Sequence, residues 1–257
     1  MNSVTTSNKK LVEGAAPDGA VDPASAARAV RQMFTSIAPR YDLLNHLLSF
    51  NIDRLWWRAT ARSFAEILSK PNACVMDLCC GTGDLTLALL KQSSFSASIV
   101  GADFAHPMLE RAKHKSIKTG LRWIEADALR LPVSDARFDL VTSAFGFRNL
   151  ADYDAGLREI VRVLRPGGQC GILDFGEPGG LIGKIYRMYL KHVLPAVGSI
   201  VSGVQGPYRY LPASVERFPS PQEMLERMKR AGLVEVSWTP YTFGIAGLFR
   251  GKKQRST

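Results

Sequence analysis

The sequence predicts an α/β protein: a mostly parallel sheet of seven strands, helices on both faces, and a helical cap at the N-terminal side. Three observations predict it. Residues 74–80 are small and apolar around one carboxylate, Asp77, as in a buried parallel strand, and Gly81-Thr82-Gly83-Asp84 carries the chain into a helical run at 85–90. Apolar runs of strand length then alternate with helix-period segments along the chain. The last two apolar runs follow each other with no helix between them, which predicts an antiparallel edge.

Taken in order, residues 1–24 are polar, mixed with Gly, Pro, Ala and Lys, and lack periodicity, so they are read as a disordered leader. From Ser25, Ala29, Met33 and Ile37 fall at helical spacing, and Pro39 ends that helix. Two more helices fit 37–50 and 52–58, and packing on the sheet accounts for Leu43, Leu44, Leu47, Leu48 and Trp56. Packing does not account for the polar group Arg40, Tyr41, Asp42 and Asn45, which either lines a pocket or caps a helix. Residues 25–70 thus form a helical cap.

The core spans 71–178. Gly81 and Gly83 accept backbone angles costly for other residues and let a ligand approach the main chain, while the helix behind them offers free N–H groups. A G-x-G turn alone is equally a tight corner with no ligand. A second strand at 98–102 ends in Asp103, followed by Phe104, and a carboxylate there can take both hydroxyls of a ribose. After a helix at 107–118, a third strand at 121–126 ends at Asp127-Ala128, which reads as a turn cap or a ligand contact. The fourth strand, 138–144, ends at Ala144 and leads to Phe145-Gly146-Phe147-Arg148-Asn149. An arginine and an asparagine thereby meet where open α/β sheets hold ligands. A helix at 152–164 and the turn Arg165-Pro166-Gly167-Gly168 precede the fifth strand, 169–175, which carries Asp174.

Residues 179–251 read as a substrate lid and closing strands. No acidic residue occurs from Gly179 to Val215, whereas Lys184, Arg187, Lys191 and Arg209 do, beside an apolar helix through Leu181, Ile182 and Ile185. Such a helix suits an anionic bilayer, or a lid whose lysines reach past its apolar face to water. Tyr208, Arg209 and Tyr210 are read as a loop, 221–231 as a helix, 234–238 and 242–249 as the closing strands, and 252–257 as a frayed basic tail.

The chain's 257 residues, 46% of them hydrophobic, suit one α/β domain with a cap. A net charge of +10 suggests an acidic partner, either a membrane surface or a nucleic acid, although solvated lysines also produce it. No apolar run reaches the roughly 20 residues of a membrane span, and the N-terminus lacks a secretory signal's apolar core, so a cytoplasmic location is expected. Cys74, Cys79, Cys80 and Cys170 lie in predicted buried strands and read as reduced thiols. His46, His106, His114 and His192 make no metal-ligand spacing, and no metal is expected.

The frame beginning at Asp77 is D-x-x-x-G-x-G, with Thr86 where a dinucleotide site carries its third glycine. It resembles the first motif of the Rossmann-like class I S-adenosylmethionine (SAM) methyltransferases. Longer strings narrow this: F-x-x-I-A-x-R-Y-D-L-L-N-x-L-L-S-F, D-L-C-C-G-T-G-D, F-G-x-R-N and P-Y-x-Y-L-x-x-S-x-x-x-F-P. Together they resemble the quinone C-methyltransferases of menaquinone and ubiquinone synthesis. That resemblance implies methyl transfer from SAM to a ring carbon of a prenylated hydroquinone, demethylmenaquinol or a polyprenyl-methoxybenzoquinol. It implies SAM contacts at Asp77, Gly81, Thr82, Gly83, Asp103, Phe104, Asp127 and Ala128, and at Ala144, where the family carries a serine. Two further departures are Leu173-Asp174-Phe175-Gly176-Glu177-Pro178 against the family's L-E-F-S-K-P, and Phe249 at a common histidine position.

Methylating a ring carbon requires a phenolate-activated ring aimed at the methyl group, so positioning and oxyanion stabilisation dominate. The expectation is that Arg148 holds the oxyanion and Asn149 orients the hydroxyl, with the base among Tyr41, Asp42, His46 and Asp174. Competing readings are a methyltransferase of another small aromatic, a SAM-binding protein without turnover, and a nucleic-acid-binding protein on this fold. The last would need stacking aromatics beside a basic groove, but the basic residues are scattered, so no nucleic acid is expected as partner. Peripheral contact with an anionic membrane is compatible with the sequence, as is an oligomer.

Overall fold

Strand β1, Cys74–Leu78, forms because its residues are small and apolar enough to be covered on both faces, and Val75, Met76 and Asp77 are fully buried. The computed structural model describes residues 14–15, 17, 19–94, 96–176, 178–193 and 206–255. β1 lies inside a seven-stranded sheet with β2 (Ser98–Asp103), β3 (Arg122–Glu125), β4 (Phe138–Ala144), β5 (Leu164–Phe175), β6 (Leu233–Tyr241) and β7 (Ala246–Lys253). The order is β3-β2-β1-β4-β5-β7-β6; the first five are parallel, and β7 runs antiparallel between β5 and β6. Strand order reverses between β1 and β4, and such a reversal opens a crevice at the carboxyl ends.

Helices cover both faces. On one, α7 (Tyr153–Val163) and α10 (Pro221–Arg230) bury Leu157, Ile160, Met224 and Met228 against Phe138, Val141 and Phe249. On the other, α3 (Asp53–Ser63), α4 (Ala65–Leu68) and α5 (Asp84–Leu90), with Phe64 between the first two, bury Trp56, Phe64, Leu68, Leu85 and Leu89 against Val75 and Leu140. Each such side chain contributes about 1.5–3 kcal/mol. Helix α6 (His106–Lys115) joins β2 to β3, while α1 (Pro23–Ile37) and α2 (Tyr41–Leu48) complete the cap, where Ile37 and Ala38 pack on Ala105 and Met108.

Several expectations need correction. The leader is not wholly irregular: Asp22 caps α1, its Oδ1 accepting from Ser25 N at 2.7 Å while Ser25 Oγ accepts from Asp22 N at 3.1 Å. Ala15 is buried and its N–H donates to Leu150 O at 2.7 Å; residues 1–13, 16 and 18 of that leader lie outside the described residues. The predicted turn at 165–168 is an irregular opening of β5, with a register shift against β4. Tyr210 lies not in a loop but in α9, Gly206–Arg217. Pro212 lies inside that helix, where Leu211 and Val215, one turn apart, pack with Leu190 and Phe175, which offsets the interior proline's cost of about 3 kcal/mol. The basic tail is not frayed where β7 continues: Lys253 Nζ donates to Val161 O and Leu164 O at 2.7 and 2.8 Å. Cys79 and Cys80 follow β1 rather than belonging to it, and all four cysteines are free thiols.

The apolar run at 181–190 forms α8 (Gly180–Met188) and a π-helical turn, Tyr189–Val193. No helix among the described residues is long and apolar enough to cross a membrane. None of their His, Cys, Asp and Glu side chains group as a metal site.

Candidate active site

Beyond β1 the backbone turns through left-handed angles at Cys79, Gly81 and Gly83, with Gly83 N–H donating to Cys80 O at 2.9 Å. At Gly83 the requirement is double: φ is +86°, and a Cβ would stand 2.5 Å from Trp123 Cη2. The Trp123 indole lies against both Gly83 and Gly101, anchored by its N–H to Ser116 Oγ at 3.0 Å.

The two carboxylates that frame this turn act differently. Asp77 is fully buried; Thr86 Oγ1 donates to its Oδ2 at 2.6 Å and Thr142 Oγ1 to its Oδ1 at 2.9 Å, so it buckles β1 to α5 and β4. Burial raises its carboxyl to about 7 against the pull of those hydroxyls. Asp103 instead borders a cavity. Its Oδ2 accepts from Gly81 N at 2.9 Å and its Oδ1 from Ala105 N at 2.8 Å; burial raises it and the amides oppose the rise.

That cavity, about 60 Å³, is bordered by Gly81, Asp103, Phe104, Asp127, Ala128 and Ala144 among others. Phe104 is held by Arg31 of α1, whose Nε donates to its carbonyl at 2.7 Å and whose guanidinium lies 5.6 Å from its ring centre. Asp127 is exposed, its Oδ1 accepting from Leu129 N at 2.9 Å. A Cβ on Gly81 would stand 3.7 Å from Tyr41 Cε1, so the glycine keeps the space between them open. The residues fit a nucleoside bearing an amino-acid tail: a carboxylate for a ribose diol, another for an amino group, and small side chains beside a flat ring. Beside Ala144, the buried Ser143 hydroxyl has no partner among the described residues.

Thr82 is not in that wall. It is 2% exposed; its hydroxyl donates to Asp42 Oδ1 at 2.5 Å and accepts from Lys115 Nζ at 2.9 Å. Lys115 also reaches Asp42 Oδ2 at 2.8 Å and Asp84 Oδ1 at 3.0 Å, so Thr82 and Asp42 clasp α2 to the glycine turn.

A second cavity of about 400 Å³ adjoins the first. Its wall is largely apolar, including Phe34, Ile37, Trp56, Phe175, Ile182 and Leu190, and Phe34, Tyr41, Phe145 and Asn149 border both spaces. Arg148, on the 3₁₀ turn Phe147–Asn149, is 6% exposed. Its N–H and Nη1 donate to Asp174 Oδ2 and Oδ1, both at 3.0 Å, Nη1 also donates to Phe145 O, and its guanidinium lies 5.0 Å from the Phe175 ring centre. Asn149 Oδ1 accepts from Tyr210 O–H at 3.1 Å, and Asn149 Nδ2 donates to Phe145 O at 3.3 Å. Loss of hydration pushes the Tyr41 and Tyr210 phenols up to about 12, so both are protonated donors at neutral pH.

Tyr41 and Asn149 thus meet at the junction and Arg148 lines the large cavity, while Asp174 and Asp42 line neither space. Asp174 is fully buried beneath Arg148; burial raises its carboxyl and the guanidinium opposes this. His46 turns its Nδ1 to Asp53 Oδ2 at 2.9 Å. Asp53 and Tyr210, which do line the large cavity, were not singled out from the sequence as site residues. The acidic residue between Ile52 and the otherwise apolar Leu55-Trp56-Trp57, and the tyrosine of P-Y-x-Y-L, were the available signals.

Comparison with known proteins agrees with this geometry. The ubiE/COQ5 methyltransferase family profile matches residues 23–253. A Deinococcus radiodurans protein named demethylmenaquinone methyltransferase is 47% identical over 236 residues, 91% of this chain and 96% of its own. A Thermus thermophilus protein of the same name is 50% identical over 224 residues, 86% and 100% of the two chains. A Geobacter sulfurreducens protein named ubiquinone/menaquinone biosynthesis C-methyltransferase is 41% identical over 87% of this chain and 88% of its own. Among solved structures, a SAM-dependent methyltransferase from Thermotoga maritima superposes with a TM-score of 0.63 at 18% identity, over 88% of this chain and 100% of that one. The [4+2]-cyclase SpnF superposes with 0.66 at 16% identity, over 90% and 97%. Likeness at that identity shows the fold alone, since one fold hosts many chemistries. The family profile spans cap, sheet and closing strands, and the chain belongs to the ubiE/COQ5 methyltransferase family of SAM-dependent methyltransferases.

Proposed function

We propose that the chain methylates a ring carbon of a reduced, prenylated quinone, with demethylmenaquinol as the first substrate to test and a polyprenyl-methoxybenzoquinol as a second. The observation that carries this reading is the pair of adjoining cavities. One is small and acidic at the glycine turn; the other is large and apolar, with a single cation, Arg148, among its described lining residues. The relatives' names point to the same substrate class.

SAM held in the small cavity supplies an electrophilic methyl group on a positively charged sulfur. The chain's own residues supply the rest. Tyr41, Phe145 and Asn149 at the junction position the ring against that methyl, and the oriented approach can account for much of the acceleration. Arg148, fixed on both carboxylate oxygens of Asp174 through its N–H and Nη1, holds a charge where the ring oxyanion develops. Asn149, oriented by Tyr210, offers its amide to the ring hydroxyl. The apolar wall from Phe34 to Leu190 takes the start of the prenyl tail.

The same reading places the protein in the cytoplasm, against an anionic membrane. Phe50, Ile182 and Ile185 line the large cavity and also reach the surface, where Leu181 and Met188 are exposed beside Lys184, Arg187 and Lys191. An apolar rim edged with positive charge suits anionic headgroups and lets a tail pass from bilayer to cavity. Mass spectrometry of the quinone pool in cells lacking the protein tests the function: the desmethyl quinone should accumulate, and an unchanged pool would sink the reading.

A further inference from the structure

We propose that Asp53 accepts the proton released during methyl transfer and that His46 passes it to solvent; the inference rests on the quinol reading above. Carbon methylation of a hydroquinone releases one proton. The ring hydroxyl gives up its hydrogen, and the ring carbon's electron pair forms the new carbon–methyl bond. The electron pair of the broken sulfur–methyl bond stays on sulfur. The hydrogen on the methylated carbon then moves to the ring oxygen as aromaticity returns. One proton per turnover must therefore leave an apolar cavity through a group on its wall.

A guanidinium is a permanent cation, suited to holding an oxyanion and not to taking a proton, which sets Arg148 aside. Tyr41 and Tyr210 have phenols pushed up to about 12 and are donors. Asp174 is fully buried, with its oxygens accepting from Arg148 and from Phe175 N–H at 2.9 Å. Asp42 is bound to Thr82 and Lys115 and does not line the cavity.

Asp53 remains. It is the sole carboxylate among the described residues that line the large cavity, and it sits one helical turn before Trp56. The Trp56 ring lies 5.7 Å from Phe145 and 6.4 Å from Phe175, against which Arg148 rests, and Asp53 and Arg148 line the same cavity as these rings. Behind Asp53, His46 Nδ1 lies 2.9 Å from Oδ2, and the imidazole, packed edge-on to Trp57, is about a quarter exposed. The pair links cavity to water. A purely structural role, tying α2 to α3, accounts for the bond to His46 and for the 2.8 Å bond from Arg54 N–H to Oδ1. It does not account for an acidic residue in the wall of a largely apolar chamber that also holds Arg148.

The test uses the full chain with SAM and a reduced demethylnaphthoquinol. Asp53→Asn should keep the wild-type circular dichroism spectrum and the Kd values for SAM and quinol, yet lose turnover by about 10²- to 10⁴-fold. Turnover within about threefold of wild type would overturn the proposal. If Asp53→Asn fails to fold or to bind SAM, His46→Gln decides. A turnover loss on the order of tenfold that added imidazole restores supports the relay; undiminished turnover, or a loss imidazole does not restore, overturns it. Failure of the quinol reading looks different, because the wild-type protein itself would then bind SAM and leave the quinol unmethylated.

Discussion

Replacing Asp77 by asparagine isolates what that carboxylate does. In the folded chain its pKa is raised from 3.8 to about 7, because burial disfavours the charge more than the Thr86 and Thr142 hydroxyls favour it. Below pH 4 it is protonated in both folded and unfolded chains and costs nothing. As pH rises toward 7 the unfolded chain ionises it first, so stability falls by about 1.4 kcal/mol per pH unit and levels off above the folded pKa. The total loss is about 4 kcal/mol. Asparagine does not ionise, and the threonine hydroxyls can still bond to its amide. Urea unfolding of both proteins from pH 4 to 8 should show the variant gaining on wild type by several kcal/mol, while SAM affinity changes little. Parallel stability curves would refute the raised carboxyl of a buried Asp77, and a collapse of SAM affinity in a stably folded variant would assign Asp77 to the binding site.

Three other outcomes follow from the geometry. Gly83→Ala forces a Cβ into Trp123 and a left-handed angle costing about 1–2 kcal/mol, so calorimetry should find SAM binding weakened about tenfold or more. Arg148→Lys should lower turnover by about 10²-fold or more with the SAM Kd unchanged, whereas Arg148→Ala should also destabilise the chain by about 3–5 kcal/mol by leaving Asp174 buried without its cation. Leu181→Glu, on the exposed apolar edge of α8 and outside the cavity lining, should reduce co-sedimentation with phosphatidylserine vesicles while leaving methylation of a short-tailed quinol intact in detergent.

The features legible in the sequence are those that local pattern dictates. The β1 run and glycine turn, the Asp103 strand end and the F-G-x-R-N segment all sit where their spacing placed them, because a buried parallel strand admits few compositions and a left-handed turn favours glycine. Pairing across the chain was not legible. The partners of Asp77 and Thr82 lie 65, 40 and 33 residues away in Thr142, Asp42 and Lys115, so the hydrogen bonds that hold these two residues join segments remote in the sequence. Asp53 begins a helix, where a carboxylate ordinarily answers the dipole, and only the fold reveals that it faces a chamber. Tyr210 reads as a loop residue in the sequence, since the packing that holds α9 together around Pro212 comes from Leu190 and Phe175 on other segments.

Methyl transfer can be followed directly. With SAM carrying a ¹³C-labelled methyl group and a reduced demethylnaphthoquinol, the purified chain should yield a product whose ¹³C resonance is that of a methyl bonded to a ring carbon. Label on an oxygen, or none on the ring despite bound SAM, would contradict the assignment.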